Sequence, residues 1–332
     1  MSANLRAGLI GLGMMGRNHA RVLNTLDGVD FVAAADAAGD VHAAAGTAKV
    51  VATIDELIEL GVDFCIVAVP TATHEEIGLR LADAGIHALI EKPLADTTAS
   101  ATRLAEAFES KNLVGGVGHI ERYNPALRAL RKRLEVGDLG DIYQVTTRRQ
   151  GPFPGRIADV GVVKDLATHD LDLTAWVTQL DYRNVSARTV HKSGRPHEDM
   201  IAIVAQLGES TIANHLVNWL SPLKERMTVV TGERGCFIAD TLTADLTFYE
   251  NGNVPQQWDA LATFRGVSEG NVTRFAIPKP EPLRVEIESF RDAVAGKASD
   301  IVTMQQGLRT VEVAEACIES ANTGSTIAVG TI

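Results

Sequence analysis

Acid–base chemistry is first suggested by the stretch Asp165-Leu166-Ala167-Thr168-His169-Asp170-Leu171-Asp172. In a helix, Asp165 lies four residues before His169 and Asp172 lies three residues after it, so their side chains share one face. A carboxylate beside a histidine can fix the ring tautomer and raise its basicity, as a general base working near neutral pH requires. The same spacing is also typical of a capped helix with an exposed charged stripe.

A second candidate for chemistry is Lys92, which follows a predicted buried strand in the run Glu91-Lys92-Pro93. A partly desolvated lysine beside a cofactor can donate a hydrogen bond to a reacting oxygen. A solvated loop lysine or a phosphate contact would have the same local sequence. The role of Lys92 therefore depends on what lies next to it.

A dinucleotide is indicated by the fingerprint Gly11-Leu12-Gly13-Met14-Met15-Gly16, which follows the apolar run Ala7–Ile10 and precedes a helical pattern. In such a strand–turn–helix, Gly11 permits the tight turn, Gly13 lets the backbone approach a pyrophosphate, and Gly16 lets the helix pack on the strand. The positive end of the helix dipole then faces the anion. A glycine-rich turn in any α/β protein is the alternative.

The preference for NAD over NADP is predicted from Asp36, which ends the apolar segment Val29–Ala35. A carboxylate at this position can accept hydrogen bonds from the adenosine ribose and repels a 2′-phosphate. The next residues, Ala37 and Ala38, offer no cation for such a phosphate. We therefore expect NAD as the cofactor.

The elements that must position these residues alternate between strand and helix in the first third of the chain. This pattern predicts an α/β Rossmann domain with a doubly wound parallel sheet, whose ligands lie beyond the carboxyl ends of the strands. Two helix starts fit capping boxes, Thr53 with Glu56 and Thr73 with Glu76. The predicted strands are 7–10, 29–35, 63–69, 86–90 and 113–118.

A change of character near Asn124-Pro125 divides the chain into predicted domains 1–123 and 124–332. After a predicted helix over 164–178, short alternating segments between 184 and 249 indicate an α+β domain with a large, mostly antiparallel, open-faced sheet. Two helices are predicted at 283–294 and 303–320. The stretch Gln256–Lys279 lacks a clear period and is predicted to be a loop.

Composition limits the classes of partner and location. With 332 residues, the chain exceeds the usual limit for a single core of about 250–300 residues, and its net charge of −11 argues against nucleic acid or an anionic membrane as the main partner. No apolar run is long enough to cross a membrane. Cys65, Cys236 and Cys317 form no disulfide or zinc pattern, so we expect buried thiols, no metal and a cytoplasmic location.

In this order the motifs resemble the Gfo/Idh/MocA family of NAD(P)-dependent sugar oxidoreductases, along essentially the whole chain. The resemblance rests on the glycine fingerprint, Val69-Pro70-Thr71-Ala72-Thr73-His74, Glu91-Lys92-Pro93 and Asp165-x-x-x-His169-x-x-Asp172. Before the last motif, where the family often has a glycine-rich run, this chain has only Gly161. The resemblance implies a Rossmann domain, an open-faced C-terminal sheet through which dimers or tetramers form, and the catalytic set Lys92, Asp165 and His169.

The cofactor contacts implied by the resemblance combine the glycine fingerprint with residues at the ends of three further strands. This predicted cofactor set is Gly11, Gly13, Met14, Met15, Gly16, Asp36, Val69, Pro70, Thr71, His74, Glu91 and Lys92. In the implied reaction a sugar hydroxyl is oxidised, with His169 taking its proton, Asp165 orienting His169 and Lys92 stabilising the developing alkoxide. Lys92 and His169 could exchange these roles.

One branch of the family is favoured by the stretches 118–125, 165–172 and 218–224, which are similar to dehydrogenases of the 3-hydroxyl of UDP-N-acetylhexosamines. Arg122, Tyr123 and Asp172 are the predicted substrate contacts, with a structural role as the alternative for the first two. Four other functions remain open from sequence: an inositol or monosaccharide 2-dehydrogenase, a ketosugar reductase, an NAD-dependent glycosidase and a non-catalytic NAD or sugar sensor.

Overall fold

The computed structural model describes residues 4–155, 160–252 and 269–330, and they form two compact units. The first unit takes in Met1–Ile120 and Glu281–Glu315, and the second takes in Glu121–Pro280 and Ala316–Ile332. The predicted domain division at residues 123 and 124 stays a prediction. It differs from these units because it leaves the segment Glu281–Glu315 in the second domain.

The first unit is built on a six-stranded, all-parallel sheet in the order β3-β2-β1-β4-β5-β6. The predicted doubly wound parallel sheet is confirmed. Every residue of β4 is buried, as expected for a strand covered on both faces. The strands are β1 (Leu5–Ile10), β2 (Val29–Ala35), β3 (Lys49–Val51), β4 (Phe64–Val67), β5 (His87–Glu91) and β6 (Gly115–Gly118).

Helices flank both sheets, together with 3₁₀ turns at Thr71–Thr73 and Ile120–Tyr123 and a π-helical turn at Val163–Ala167. The helices of the first unit are α1 (Met14–Leu23), α2 (Ile54–Glu59), α3 (His74–Asp83), α4 (Thr98–Ser110) and α7 (Pro282–Val294). The second unit has α5 (Pro125–Glu135) and α6 (Thr168–Thr178), and α8 (Met304–Thr323) begins in the first unit and ends in the second.

Helix α7 contributes to the core of the first unit although it lies far along the chain. Its residues Leu283, Ile287 and Phe290 are buried in the same cluster as Leu9 and Phe64. The rings of Phe64 and Phe290 meet edge to face with centroids 5.7 Å apart, a favoured aromatic geometry. The core of the cofactor unit is therefore completed by a C-terminal segment.

Among its described residues, the second unit contains a nine-stranded sheet in the order β14-β13-β12-β11-β7-β10-β9-β8-β15. Only the β7–β10 pair is parallel among these paired strands, so the predicted mostly antiparallel sheet is confirmed. The strands are β7 (Ile142–Pro152), β8 (Tyr182–Val190), β9 (Met200–Leu207), β10 (Thr211–Asn218), β11 (Leu220–Gly232), β12 (Gly235–Asp240), β13 (Asp245–Asn251), β14 (Glu269–Arg274) and β15 (Ile327–Ala328).

Two local predictions are wrong. The capping box at Thr53 is present, but Thr73 does not cap α3: its hydroxyl donates to the Pro70 carbonyl over 2.8 Å. The 3₁₀ turn before α3 already gives Thr73 helical dihedrals, whereas a capping residue needs an extended backbone. The predicted loop Gln256–Lys279 contains β14, an edge strand whose polar sequence lacks a clear period, while residues 256–268 lie outside the described residues.

The inner face of the second sheet buries a histidine with polar neighbours. The ring nitrogens of His215 in β10 lie 2.8 Å from the Thr147 hydroxyl and 3.0 Å from the Tyr182 hydroxyl. A neutral ring offers one donor and one acceptor, and each hydroxyl can supply the complementary group. Burial lowers the pKa of His215 to about 4, so the folded protein holds this ring neutral.

We predict that His215 makes the protein less stable in mild acid. The unfolded histidine has a pKa of about 6.5, so between pH 6.5 and about 4 the unfolded chain binds more protons and the free energy of unfolding falls. Because Gln does not titrate, the stability advantage of the wild type over His215→Gln should shrink by about 3 kcal/mol from pH 7 to pH 4. Urea unfolding at a series of pH values measures this, and parallel curves would contradict it.

Candidate active site

The glycine turn after β1 has the steric requirements of a dinucleotide fingerprint. A Cβ on Gly16 would lie 1.9 Å from the Gly11 carbonyl oxygen, and one on Gly11, where φ is +93°, would lie 2.5 Å from the Ala68 oxygen. A Cβ on Gly13 would meet nothing within 4 Å. Gly11 and Gly16 are therefore required by the protein's own packing, whereas the space above Gly13 is open for a ligand. Helix α1 starts directly after Gly13 with no acidic residue in its first turn, which leaves its N-terminal amides to an anion.

Several predicted cofactor residues line one groove of about 550 Å³ in the first unit. Gly11, Gly13, Asp36, Val69 and Pro70 contribute to its walls. The Asp36 carboxylate is held in place because it accepts hydrogen bonds from the backbone amides of Leu12 and Ala38, over 2.7 and 2.8 Å. The groove thus combines an anion cradle with a fixed carboxylate, and its residues fit NAD.

Sequence reasoning missed Arg80 of α3, which lines the same groove and forms an ion pair with Asp55. The glycine fingerprint and Asp36 do not indicate Arg80, because Arg80 lies on a helix more than forty residues beyond Asp36. Because the positive charge of Arg80 is paired with Asp55, it does not change the prediction that the fixed Asp36 carboxylate accepts hydrogen bonds from the ribose.

His74 is fully buried and bonds only to backbone in the contacts described. Its Nδ1 lies 3.0 Å from the Pro93 carbonyl oxygen, and its Nε2 lies 3.0 Å from that of Val69. Burial lowers the pKa of His74 despite these two carbonyls, which favours the neutral ring, and a neutral ring donates to one of them at a time. His74 therefore ties the loop after β4 to the loop after β5, and this position favours a structural role over a ribose contact.

The end of β5 carries a linked set of charged groups. Glu91 Oε1 lies 2.8 Å from His19 Nε2, and Glu91 Oε2 accepts from the Lys92 backbone amide over 3.2 Å. Burial acts to raise the pKa of Glu91, but His19 and the charge of Lys92 outweigh it, so the net shift is downward. Lys92 itself is half-buried and precedes a cis-proline. His19, which sequence reasoning missed, thus holds the carboxylate next to the proposed catalytic lysine.

In the second unit, Asp165 and His169 lie in one continuous helical segment. Asp165 belongs to the π-helical turn and is buried, whereas His169 is the second residue of α6 and is half-buried. The helix predicted over 164–178 is thus present, but it begins with the wider π-helical turn. Such turns are rare and often occur at functional sites.

The three predicted substrate contacts are buried, and two of them bind each other. The Arg122 guanidinium donates to both carboxylate oxygens of Asp172, from Nε over 2.8 Å and from Nη2 over 2.6 Å. Tyr123 beside them is 4% exposed. This bidentate pairing favours the structural alternative for Arg122, because its strongest donors are directed at α6.

Sequence reasoning also missed Arg149 of β7, which forms a second buried ion cluster with α6. Its guanidinium donates to Asp170 over 2.6 Å and to Glu121 over 2.8 Å. Burial opposes the charge of Arg149, but the two carboxylates raise its pKa further, so it stays protonated. Arg226, opposite Arg149 on β11, is half-buried. Burial and the charge of Arg149 lower the pKa of Arg226, and the carboxylates of Asp170, Glu121 and Asp165 partly oppose this shift.

A family profile described as an oxidoreductase family with an NAD-binding Rossmann fold matches residues 5–119, and its C-terminal α/β domain matches residues 131–329. The chain belongs to the Gfo/Idh/MocA oxidoreductase family. Its first unit is therefore an NAD-binding Rossmann domain, and the predicted fold, enzyme class and cofactor are confirmed.

Individual members of the Gfo/Idh/MocA family align along most of the chain. It is 31% identical over 300 residues to a UDP-N-acetylglucosamine 3-dehydrogenase of Acidithiobacillus ferrooxidans, covering 88% of this chain and 89% of the relative. It is 27% identical to an inositol 2-dehydrogenase of Saccharopolyspora erythraea, covering 98% and 95%. A crystal structure of the A. ferrooxidans enzyme superposes with a TM-score of 0.84 at 25% identity, covering 97% and 99%.

The helices described by the structure include none long and apolar enough to cross a membrane. Across all residues that the structure describes, no group of three or more His, Cys, Asp or Glu side chains is arranged to hold a metal ion.

We predict that Gly13→Ala weakens NAD binding without unfolding the protein. Its methyl group fits the structure but occupies space that the pyrophosphate needs. The Kd for NAD should therefore rise at least about tenfold, which corresponds to a loss of about 1.4 kcal/mol of binding free energy. Gly16→Ala is the contrasting variant, because its clash with the Gly11 carbonyl should lower the melting temperature even without NAD. Titration calorimetry and thermal unfolding separate the two effects. Normal NAD affinity in Gly13→Ala would contradict the assignment of the open space to the cofactor.

Proposed function

We propose that this chain oxidises the 3-hydroxyl of a UDP-N-acetylhexosamine with NAD. The observations that carry the proposal are Lys92 at the end of β5 in the first unit and, in the second unit, Asp165 and His169 on a helical segment fixed by buried ion pairs. The chain that holds these residues shares 31% identity with a UDP-N-acetylglucosamine 3-dehydrogenase across most of both sequences.

In the proposed reaction, His169 removes the proton from the sugar hydroxyl. The Asp165 carboxylate orients the ring and stabilises the imidazolium that forms. Lys92 donates a hydrogen bond to the same oxygen and stabilises its developing negative charge, which is where electrostatic help is greatest. When bound, NAD supplies the hydride acceptor; the protein aligns the reacting groups and excludes water. The products are a ketone, NADH and a proton held on His169.

A charged substrate is supported by two cations of β11, Arg226 and Lys224. Arg226 donates from Nη1 to the carbonyl oxygens of Gln150 and Glu225, each over 2.8 Å, which fixes the guanidinium on the inner face of the sheet. The Lys224 side chain lies next to Gly151, about 3.9 Å from the position of a Cβ there. A diphosphate could pair with such groups, whereas inositol carries no charge. Arg226 and Lys224 therefore favour a sugar nucleotide over a free polyol.

The predicted substrate dependence can be measured by NADH formation. With UDP-N-acetylglucosamine, its uronic acid, myo-inositol and glucose as the panel, we expect turnover with a UDP-sugar. Lys92→Ala and His169→Ala should each lower kcat at least about 10²-fold and keep NAD affinity, the usual size of an acid–base contribution. The exposed Lys111→Ala and His191→Ala are the matched controls and should retain activity. Because tightly held NADH could hide turnover, 2-oxoglutarate is added in parallel as a recycling acceptor.

Three outcomes of this experiment would overturn parts of the proposal. Near-normal kcat in both variants would remove Lys92 and His169 from the reaction. A signal with a free polyol alone would keep the family and discard the sugar nucleotide. No turnover by the wild type with intact NAD binding would point to a glycosidase or a sensor.

We further propose a cytoplasmic homodimer or homotetramer that associates through the open face of the second sheet, defined by Val204, Ile212 and Leu216. These apolar side chains are exposed on the face opposite His215, and Val204 and Leu216 line a shallow groove of about 580 Å³ there. An apolar patch of this kind on a sheet is typical of a protein interface. The free thiols of Cys65, Cys236 and Cys317 suit a reducing compartment.

We predict that Leu216→Arg dissociates the oligomer, because it places a charge in the centre of the open face. Light scattering after size exclusion should give at least two subunits for the wild type and a lower mass for the variant at equal concentration. Val136→Arg is the matched control, because Val136 is 68% exposed at the end of α5 and away from this face. A monomeric wild type, or a variant of unchanged mass, would refute association through the open face.

A further inference from the structure

Gly161 stands where the loop before the π-helical turn meets a glutamate side chain. A Cβ on Gly161 would lie 2.0 Å from Oε1, 2.1 Å from Cδ and 2.2 Å from Oε2 of Glu198. The backbone φ of Gly161 is not in the left-handed region, so the need for glycine here is steric. Any side chain at this position must displace the Glu198 carboxylate.

Glu198 caps the turn that carries Asp165. Its Oε1 accepts a hydrogen bond from the Val163 amide over 2.9 Å, and its backbone oxygen accepts from the Val162 amide over 3.0 Å. Two residues after Val163, the Asp165 amide donates to the Gly161 carbonyl over 3.1 Å. A carboxylate at the N-terminus of a helical segment satisfies amides that have no acceptor within the helix and complements its dipole.

The chain that presents Glu198 is itself fixed by its neighbour Asp199, which is 1% exposed. The Asp199 carboxylate accepts from the backbone amides of Lys192 and Ser193, over 2.7 and 2.8 Å, and from the Ser193 hydroxyl over 2.8 Å. Its carbonyl accepts from the Trp219 amide over 2.9 Å. Glu198 therefore projects from an anchored position at the end of the β8–β9 connection.

We propose that Glu198, with the space left by Gly161, positions Asp165 and His169 for catalysis. We call these two residues the latch. The Glu198 carboxylate fixes the first amides of the π-helical turn, and the absence of a side chain at Gly161 lets this carboxylate approach the backbone. Glu198 acts through Asp165 and is a positioning residue. The expected effect on kcat rests on the proposed function, whereas the role of Glu198 in holding the turn does not.

Loss of the carboxylate leaves the Val163 amide without its acceptor and lets the first turn fray. A displacement of about 1 Å in a reacting group can lower turnover about 10²-fold. We therefore expect Glu198→Ala and Gly161→Ala each to lower kcat about tenfold or more, with no change in the Kd for NAD. Glu198→Gln keeps an oxygen that can accept from Val163 and should restore kcat to within about threefold of the wild type.

The decisive test is the double variant Gly161→Ala/Glu198→Ala. Because Glu198→Ala removes the group that an alanine at 161 would strike, adding Gly161→Ala should cause no further loss of kcat, so the two effects should not multiply. Hydrogen exchange of the peptide over residues 160–170 is measured on the same full-length proteins. Exchange at the amides of Val162, Val163 and Asp165 should rise in both single variants and stay near that of the wild type in Glu198→Gln.

Multiplying effects in the double variant, or unchanged exchange in Glu198→Ala, would overturn the latch. Faster exchange with unchanged kcat in Glu198→Ala would overturn its role in positioning the catalytic residues. If the wild type turns over no sugar, the proposed function fails, and exchange and thermal unfolding across the same four variants still decide whether the latch exists.

Discussion

Two buried guanidinium–carboxylate contacts on α6 are the constraint on which the second unit depends. Asp170 faces Arg149 and Asp172 faces Arg122, so a helix with almost no exposed side places its charges inside the protein. Removing one partner from a buried pair typically costs about 3–5 kcal/mol, because the other charge is left without compensation. The contacts fix the rotation of α6 about its axis, and with it the direction of His169.

In the first unit the corresponding constraint is steric, because the backbone at the glycine turn comes too close for side chains. This kind of constraint is local, and the sequence predicts it well: spacing alone indicated the roles of Gly11 and Gly16 and the parallel sheet. Strand and helix periodicities likewise predicted most elements of both sheets. Each of these signals lies within a few residues of the structure that it determines.

The parts of the site that sequence reasoning missed depend on partners distant in the chain. Glu91 is 72 residues from His19, and Val163 is 35 residues from Glu198; neither partner belongs to a local motif. The π-helical turn was also missed, because one additional residue in a turn leaves the apolar pattern on either side almost unchanged. Arg122 and Asp172 were identified as important, but their preference for each other depends on the packing of α6.

The contribution of α7 to the core of the first unit has a consequence for synthesis on the ribosome. The parallel sheet is translated early, yet Leu283, Ile287 and Phe290 emerge only after all of residues 121–280. Until then the nascent sheet lacks the side chains that cover Phe64, and exposed apolar surface of this kind attracts chaperones and promotes misassembly. The NAD-binding unit of this enzyme therefore begins to be made first, but it completes its core only after most of the second unit has been translated.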